Sequence, residues 1–215
     1  MRGYFITFEG IEGCGKSTLA SAVSGRFREA GLPCLLTREP GGNVVSERIR
    51  RILLDPERTE IFPRTELLLY LASRAQLVAE VIGPALAGGT HVLCDRFMDA
   101  STVYQGWARG IGEEKVEEMN SFAVGDSLPD RTFVLDLDVE EGFRRGPARR
   151  ESAGERKRDR LEREDRAFHE KVREGYLRLA RRHPERVITV DASMPIEEVA
   201  SEVMRNIAKL PGLNI

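Results

Sequence analysis

The regular alternation of short apolar runs with longer amphipathic segments most constrains the fold of this chain. Each run is rich in β-branched or aromatic residues, and the segments between them repeat apolar residues at three and four positions. This pattern is typical of strand–helix crossovers around a parallel sheet. It predicts an α/β fold, with three helix–sheet–helix layers and a five-stranded parallel sheet. The predicted strands are 4–8, 34–37, 91–94, 132–137 and 187–190, and the predicted helices are 17–30, 46–54, 65–86, 113–123, 166–182 and 196–209.

Length and charge limit the classes of function. The 215 residues fit one domain, and 33 basic against 35 acidic residues give a net charge of −2. Because this charge is nearly balanced, we do not expect nucleic acid as a partner. We do not expect a membrane either, since the longest apolar stretches, such as 65–72, are much shorter than a membrane-spanning helix. The start of the chain lacks the features of a secretory signal, and its three cysteines lack paired spacing, which predicts a cytoplasmic protein.

One segment departs from the alternating pattern. Residues 142–162 are dense in arginine, carry Gly146, Pro147 and Gly154, and contain few apolar residues. We expect an exposed, mobile excursion, inserted into a single domain that covers 1–215.

The segment GIEGCGKS, residues 10–17, matches the phosphate-binding loop G-x-x-x-x-G-K-[ST] in full, with a predicted strand before it and a helix after it. Its backbone N–H groups can converge on phosphate oxygens, Lys16 can bridge the β- and γ-phosphates of ATP, and the Ser17 hydroxyl can ligate Mg²⁺. The residues expected to bind ATP are Gly10, Ile11, Glu12, Gly13, Cys14, Gly15, Lys16, Ser17 and Thr18. The loop alone fits a GTPase switch, a transport ATPase or a small-molecule kinase equally well.

Asp95 and Arg96 follow the third predicted strand in the sequence CDRF. At the carboxyl edge of a parallel sheet they would lie near the phosphate loop, where Asp95 can join the magnesium shell and Arg96 can hold a phosphate. The alternative is a surface ion pair. Because Asp95, Arg96 and the phosphate loop would share one edge of the sheet, we favour a phosphotransferase over a GTPase switch.

Six successive motifs resemble those of the bacterial thymidylate kinases: FEGIEGCGKST, TREPGG, LYLASRAQL, CDRF, YQGWARG and DRLEREDRAFHEKVREGY. They occur in the family's order and span nearly the whole chain. The resemblance implies a fold like that of P-loop nucleoside monophosphate kinases. It also implies ATP-dependent phosphorylation of dTMP to dTDP for dTTP synthesis, with Mg²⁺, in a homodimer.

The resemblance also implies roles for residues at the substrate site. Tyr70 and Arg74, four residues apart on one helix face, would stack on thymine and donate to its O4. The alternative is a core tyrosine with an arginine that extends to solvent. The family places Glu39 and Pro40 of TREPGG beside the substrate phosphate and sugar, although these residues could form a purely structural turn.

The remaining substrate residues are also implied by the resemblance. Arg50 and Arg96 match arginines that contact the monophosphate, although Arg50 could instead belong to a solvated helix face. Ser101 and Gln105 would meet the thymine edge, and Tyr104 would lie against the deoxyribose, where its bulk disfavours a 2′-hydroxyl.

Catalytic charge is expected from residues 142–162, because the phosphate loop contains no arginine. In the family type that this loop resembles, the lid supplies the basic residue. The catalytic candidates are Lys16, Arg96, Asp95, Glu12, Arg149, Arg150 and Arg156, with Arg158 as a further lid candidate. Any single lid arginine could instead be a solvated charge. Asp159 and Arg160 match the family's lid anchor, with Asp159 near the substrate. We expect His91, His169 and His183 to be structural.

Two alternatives remain for function. One is a kinase for another nucleoside monophosphate, and the other is a non-catalytic P-loop switch or nucleic-acid-binding regulator. A switch would need a partner-binding appendage or a basic face outside the lid, and the sequence shows neither.

Overall fold

A five-stranded parallel sheet forms the centre of the molecule. The computed structural model describes residues 2–152 and 159–213, apart from the side chains of 147–152. The strand order is β2-β3-β1-β4-β5, and every pairing is parallel. The strands are β1 (Phe5–Gly10), β2 (Cys34–Arg38), β3 (His91–Asp95), β4 (Arg131–Asp136) and β5 (Val187–Asp191). The predicted fold class and all five predicted strands are confirmed.

Helices surround the sheet and connect its strands. They are α1 (Lys16–Glu29), α2 (Val44–Leu54), α3 (Pro63–Leu77), α4 (Gly83–Ala87), α5 (Met98–Ser101), α6 (Glu113–Val124), α7 (Val139–Ser152), α8 (Arg166–Arg182) and α9 (Ile196–Ile207). Two π-helical segments, Val78–Ile82 and Thr102–Ala108, continue α3 and α5 without a break. The helices predicted at 17–30, 46–54, 113–123, 166–182 and 196–209 are present, with ends that differ by two residues at most.

The apolar residues of the strands divide between the two faces of the sheet. Phe5 and Val92 belong to one buried cluster, whereas Ile6, Phe8 and Leu93 belong to another. Because helices cover both faces, the central strands need apolar side chains in both directions. This is why β1 and β3 are continuous apolar runs in the sequence.

The helix predicted over 65–86 is a continuous helical rod from Pro63 to Ala87, with the π turn inside it. Among the described residues it is the one helix long and apolar enough to cross a membrane, by length and composition. The helix was predicted over nearly this length, but its apolar stretches were expected to be much shorter than a spanning helix. Glu66 and Arg74 on this rod are each only 1% exposed and form ion pairs with other elements of the protein. One face of the rod thus packs against other elements of the protein.

The expectation of an exposed excursion over 142–162 is wrong at both ends. Residues 142–152 continue helix α7. A Cβ atom at Gly142 would come within 2.6 Å of the Glu12 carbonyl oxygen, so α7 begins directly against the phosphate loop. At the other end, Glu162 is 6% exposed, and Arg160 donates to the Leu53 carbonyl at 2.9 Å. The segment 159–162 can be buried with few apolar residues, because its polar side chains form ion pairs and hydrogen bonds to the main chain.

Candidate active site

A cavity of about 950 Å³ opens at the carboxyl edge of the sheet. It is lined by the residues that follow β1, β2 and β3, by one face of α3, and by the segment that returns to α8. Because the phosphate loop and the other motifs share this edge, one ligand can contact all of them.

The phosphate loop joins β1 to α1 and forms one wall of the cavity. Gly10 and Gly15 have φ of 138° and 93°, which side chains disfavour, and a Cβ at Gly10 would approach the Leu135 carbonyl oxygen at 2.6 Å. Lys16 is buried, and its Nζ donates to the carbonyl of Ile11 at 2.7 Å. The loop therefore places an ammonium group beside the N-terminus of α1, where phosphate oxygens are favoured.

Ser17 and Asp95 meet at the first turn of α1, where the Ser17 hydroxyl donates to Asp95 Oδ2. Hydroxyl and carboxylate oxygens are the ligands that Mg²⁺ prefers. No cluster of three or more His, Cys, Asp or Glu side chains suited to a metal occurs among the described residues. This pair fits an ion that takes one or two protein oxygens and completes its shell with phosphates and water.

Arg96 is held in a left-handed backbone conformation with φ of 67°, which is unusual for a residue other than glycine. Its Nη1 donates to the Gly10 carbonyl at 3.0 Å, its Nη2 lies 3.7 Å from Glu12 Oε2, and the guanidinium lies 5.3 Å from the ring centre of Tyr104. These contacts aim the guanidinium at the tip of the phosphate loop.

A buried carboxylate that was not predicted from the sequence lies behind Arg96. Glu9 is fully buried; its Oε1 accepts from the Phe97 amide and its Oε2 from the Tyr176 hydroxyl, both at 2.7 Å. The Tyr176 hydroxyl in turn accepts from Arg96 Nη1 at 3.3 Å. Burial raises the pKa of Glu9 to about 7, against the opposing charge of Arg96. In the sequence, Glu9 directly precedes the first glycine of the loop. The only sign of its burial there is that a charged residue continues an apolar strand.

Arg74 and Glu39 form a buried pair beneath the cavity. Arg74 Nη2 lies 2.8 Å from Glu39 Oε1, and Nε donates to Oε2 at 3.0 Å. Arg74 also donates to the Ser101 hydroxyl at 3.0 Å and to Asn120 Oδ1 at 2.5 Å. Burial raises the pKa of Glu39 despite the charge of Arg74. The alternative in which Arg74 extends to solvent is therefore wrong.

Tyr70 and Gln105 line the same cavity as the phosphate loop. Tyr70 is buried, and desolvation raises the pKa of its hydroxyl. Gln105 Nε2 donates to Glu66 Oε1 at 2.7 Å. An aromatic ring and an amide thus line the cavity together with Lys16.

Arg50 and Asp159 complete the mouth of the cavity. Arg50 Nη1 donates to the Pro40 carbonyl at 2.8 Å, next to the cis Glu39–Pro40 bond, so Arg50 does not belong to a wholly solvated helix face. Burial lowers the pKa of Arg50 and raises that of Asp159, whose carboxyl also lies near the charge of Glu12.

Comparison with known proteins agrees with this geometry. The family model for thymidylate kinase matches residues 8–203. The chain is 47% identical over 211 residues to the thymidylate kinase of Desulfosudis oleivorans, covering 98% of this chain and 99% of the relative. It is 48% identical over 210 residues to that of Latilactobacillus sakei, covering 97% and 96%. The chain belongs to the thymidylate kinase family.

A solved structure of another family member shares this fold. The crystal structure of thymidylate kinase from Ehrlichia chaffeensis superimposes with a TM-score of 0.75 at 29% identity, covering 96% of this chain and 99% of that one. The reaction of thymidylate kinases is the ATP-dependent phosphorylation of dTMP to dTDP, a step in nucleotide biosynthesis.

The predicted site residues of this thymidylate kinase family member lie together with few exceptions. All ten predicted substrate residues line the cavity, as do Asp95 and residues 12–18 of the loop, whereas Gly10 and Ile11 lie behind it. Arg149 and Arg150 belong to α7, but their side chains lie outside the described part of the chain. Arg156 and Arg158 lie outside the described residues altogether.

His169 was expected to be structural, yet it lines the cavity at 2% exposure. Neither ring nitrogen finds a hydrogen-bond partner among the described residues, and burial lowers the pKa of the imidazole. The ring packs edge-on against Phe143 at 5.1 Å.

Proposed function

We propose that this chain phosphorylates dTMP in the cavity at the carboxyl edge of the sheet, with ATP on the phosphate loop and the nucleotide acceptor opposite it. The observation that carries this proposal is the convergence of the phosphate loop and the ten acceptor-site candidates on one cavity. Phosphoryl transfer depends mainly on aligning two charged phosphates and compensating their charge, which such a convergence permits.

The acceptor phosphate lies between Arg50 and Arg96 in this proposal. Both side chains line the cavity, and Arg96 is fixed by Gly10 and Tyr176. Two guanidinium groups neutralise the phosphate dianion, so that its oxygen can approach the γ-phosphate of ATP. Lys16 stabilises charge on the donor side.

The base occupies the opposite end of the cavity. Tyr70 stacks on the thymine ring, and Arg74, Ser101 and Gln105 form the polar edge that meets its oxygens and N3–H. Since Arg74 is already fixed by Glu39 and Asn120, its remaining donor capacity has a set direction. Glu39 then acts by orienting Arg74. Tyr104 excludes ribonucleotides by its bulk beside the sugar.

Magnesium would be held by Ser17 and Asp95, where, when bound, it would screen the charge of the phosphates. The chain's own residues do the rest: the loop amides bind the phosphates, Lys16 and Arg96 balance their charge, and Glu12 helps to fix Arg96.

Residues 142–162 form a lid within a single domain, and Arg149, Arg150 or Arg156 supplies the further positive charge that the loop lacks.

The protein acts as a cytoplasmic homodimer in this proposal. Exposed apolar side chains on α3 and α6 support an interface, since Phe122 is 93% exposed and Leu68 is 55% exposed. Such residues on neighbouring packed helices are costly to leave in water.

A coupled assay that measures ADP formation with dTMP, dUMP, dCMP, GMP and AMP tests the function. We expect dTMP to give the highest kcat/KM, with dUMP within a factor of roughly 10–200 because the two bases differ by one methyl group. Faster turnover of GMP or AMP would instead assign the site to another nucleoside monophosphate. Absence of transfer to every acceptor would favour the P-loop switch.

A further inference from the structure

Glu66 is a buried carboxylate that the reaction described above does not use. It lies on α3, one helical turn before Tyr70, with 1% of its surface exposed. Its Oε2 lies 2.6 Å from Arg160 Nη2, and its Oε1 accepts from Gln105 Nε2 at 2.7 Å. Arg109 lies at 3.5 Å from both oxygens. The carboxylate therefore joins α3, the π segment Thr102–Ala108 and the return from the lid.

The chemistry of this carboxylate fixes the amide of Gln105 in one of its two orientations. A carboxylate accepts hydrogen bonds and donates none, so only the –NH₂ end of the amide can face it. The amide oxygen must then point away from Glu66. Gln105 lines the cavity, and no described residue donates a hydrogen bond to its Oε1. An acceptor is thus presented to the ligand.

We propose that Glu66 is a positioning residue that turns the Gln105 oxygen toward the base and so makes the site select pyrimidines with a protonated N3 over those with an unprotonated N3. The inference rests on the proposed placement of the base between Tyr70 and Gln105. Thymine and uracil carry an N3–H that can donate to this oxygen. Cytosine presents a lone pair at N3, which would face the lone pairs of Gln105 and leave both groups unpaired in a buried site.

Arg160 and Arg109 hold the Glu66 carboxylate in place, and they determine how a glutamine at position 66 would be oriented. Arg160 lies at 2.6 Å from Oε2, the oxygen that does not accept from Gln105, and is itself held by the Leu53 carbonyl. Arg109 approaches both oxygens, but only at 3.5 Å. In Glu66→Gln, the new amide must turn its oxygen to Arg160, since two donors cannot pair. Its –NH₂ then faces Gln105, whose amide rotates by half a turn and presents –NH₂ to the base.

The experiment compares kcat/KM for dTMP and dCMP in the full-length wild-type protein and in Glu66→Gln. We expect the ratio of dTMP to dCMP to fall roughly 10- to 100-fold in the variant, through both a loss with dTMP and a gain with dCMP. Glu113→Gln is the matched control, because Glu113 also pairs with arginines, Arg178 and Arg182, but lies outside the cavity. Its ratio should equal that of the wild type.

A second variant keeps the test decisive if Glu66→Gln folds poorly. Gln105→Met keeps the volume and leaves Glu66 paired with Arg160 and Arg109; it should lower the ratio by weakening dTMP without any gain for dCMP. A wild type that prefers dCMP or a purine would contradict the proposed placement of the base. A wild type that prefers dTMP, with a ratio that falls in Gln105→Met but is unchanged in Glu66→Gln, would overturn the role of Glu66 alone. A ratio unchanged in both variants would remove Gln105 from the base as well.

Discussion

Arg96 shows how a single residue can be set by the backbone around it. Its own amide donates to the Phe8 carbonyl at 3.0 Å, and the next amide, of Phe97, donates to Glu9. A left-handed conformation costs a residue with a side chain about 1 kcal/mol or more, and these bonds offset that cost. Glu9 therefore contributes to the position of a guanidinium that it does not touch.

Glu9 gives the first prediction, which concerns stability and pH. Its pKa is about 7 in the folded protein, compared with an ordinary value of 4.5, so the folded state holds the proton more tightly between these values. Wild-type stability should fall as pH rises from 4.5 to 7, because the unfolded carboxyl ionises freely and the buried one does not. The loss is about 3 kcal/mol.

Denaturant unfolding of wild type and Glu9→Gln across pH 4–8 measures this contribution, since glutamine does not titrate. The free energy of unfolding of Glu9→Gln, relative to wild type, should rise with pH up to about 7 and then level off. A difference that stays constant across this range would show that Glu9 ionises normally when buried. Asp191→Asn, at an exposed strand end, provides a control carboxyl.

Tyr104 gives the second prediction, which concerns the sugar. Its ring lies between Arg96 and the aromatic rings of Phe168 and Tyr176, so it is fixed rather than mobile. Tyr104→Ala should raise the kcat/KM of ribo-TMP relative to dTMP by about tenfold or more, and Tyr104→Phe, which keeps the ring, should not. Steady-state assays with both nucleotides, at saturating ATP, measure the ratio. An equal ratio in all three proteins would remove Tyr104 from the sugar site.

At the scale of elements, α7 connects the phosphate loop to the candidate catalytic arginines. The loop contains no arginine, so alanine at the acting position among Arg149, Arg150 and Arg156 should lower kcat on the order of a thousandfold, with little change in dTMP affinity. The other two positions should change kcat less than about twofold, as expected for solvated charges. Single-turnover kinetics and dTMP titration of each variant separate these effects.

The elements also show where sequence patterns stop being informative. Strand positions were predictable because a parallel sheet buried on both faces requires continuous apolar runs. The two ends of 142–162 were not, because their buried contacts are between main-chain atoms at Gly142 and ionic at Arg160. The π turn at Val78–Ile82 leaves the apolar repeat nearly unchanged and is invisible at the level of periodicity.

The same reasoning explains which site residues could be found. Residues carried by a motif at the sheet edge, such as Lys16 and Arg96, were predictable from loop spacing and topology. Glu9, Glu66 and Tyr176 were not, because each contacts another candidate side chain from a helix or strand with ordinary sequence. Pairings such as Arg74 with Glu39 depend on the tertiary fold.

At the scale of the whole molecule, the apolar surface of α3 and α6 predicts self-association. Phe122→Lys should convert the proposed dimer to a monomer, because a charge would replace a large apolar side chain at the contact. Sedimentation velocity at micromolar concentration measures the change, and far-ultraviolet circular dichroism checks that the fold persists. Met194→Lys, at an exposed apolar position that borders the cavity and belongs to neither α3 nor α6, is the control. A wild-type protein that sediments as a monomer would contradict the dimer.

The contact between the phosphate loop and α7 has a consequence for how the sequence can vary. A Cβ at Gly13 would lie 2.2 Å from the carbonyl oxygen of Gly142, and a Cβ at Gly142 would lie 2.6 Å from that of Glu12. A side chain at either position would collide with main-chain atoms, and a substitution elsewhere in the chain does not remove main-chain atoms. Substitution at one position therefore has no compensating change at the other. Two glycines far apart in the chain thus share one contact, and a side chain at either position would force the main chain of the other segment to move.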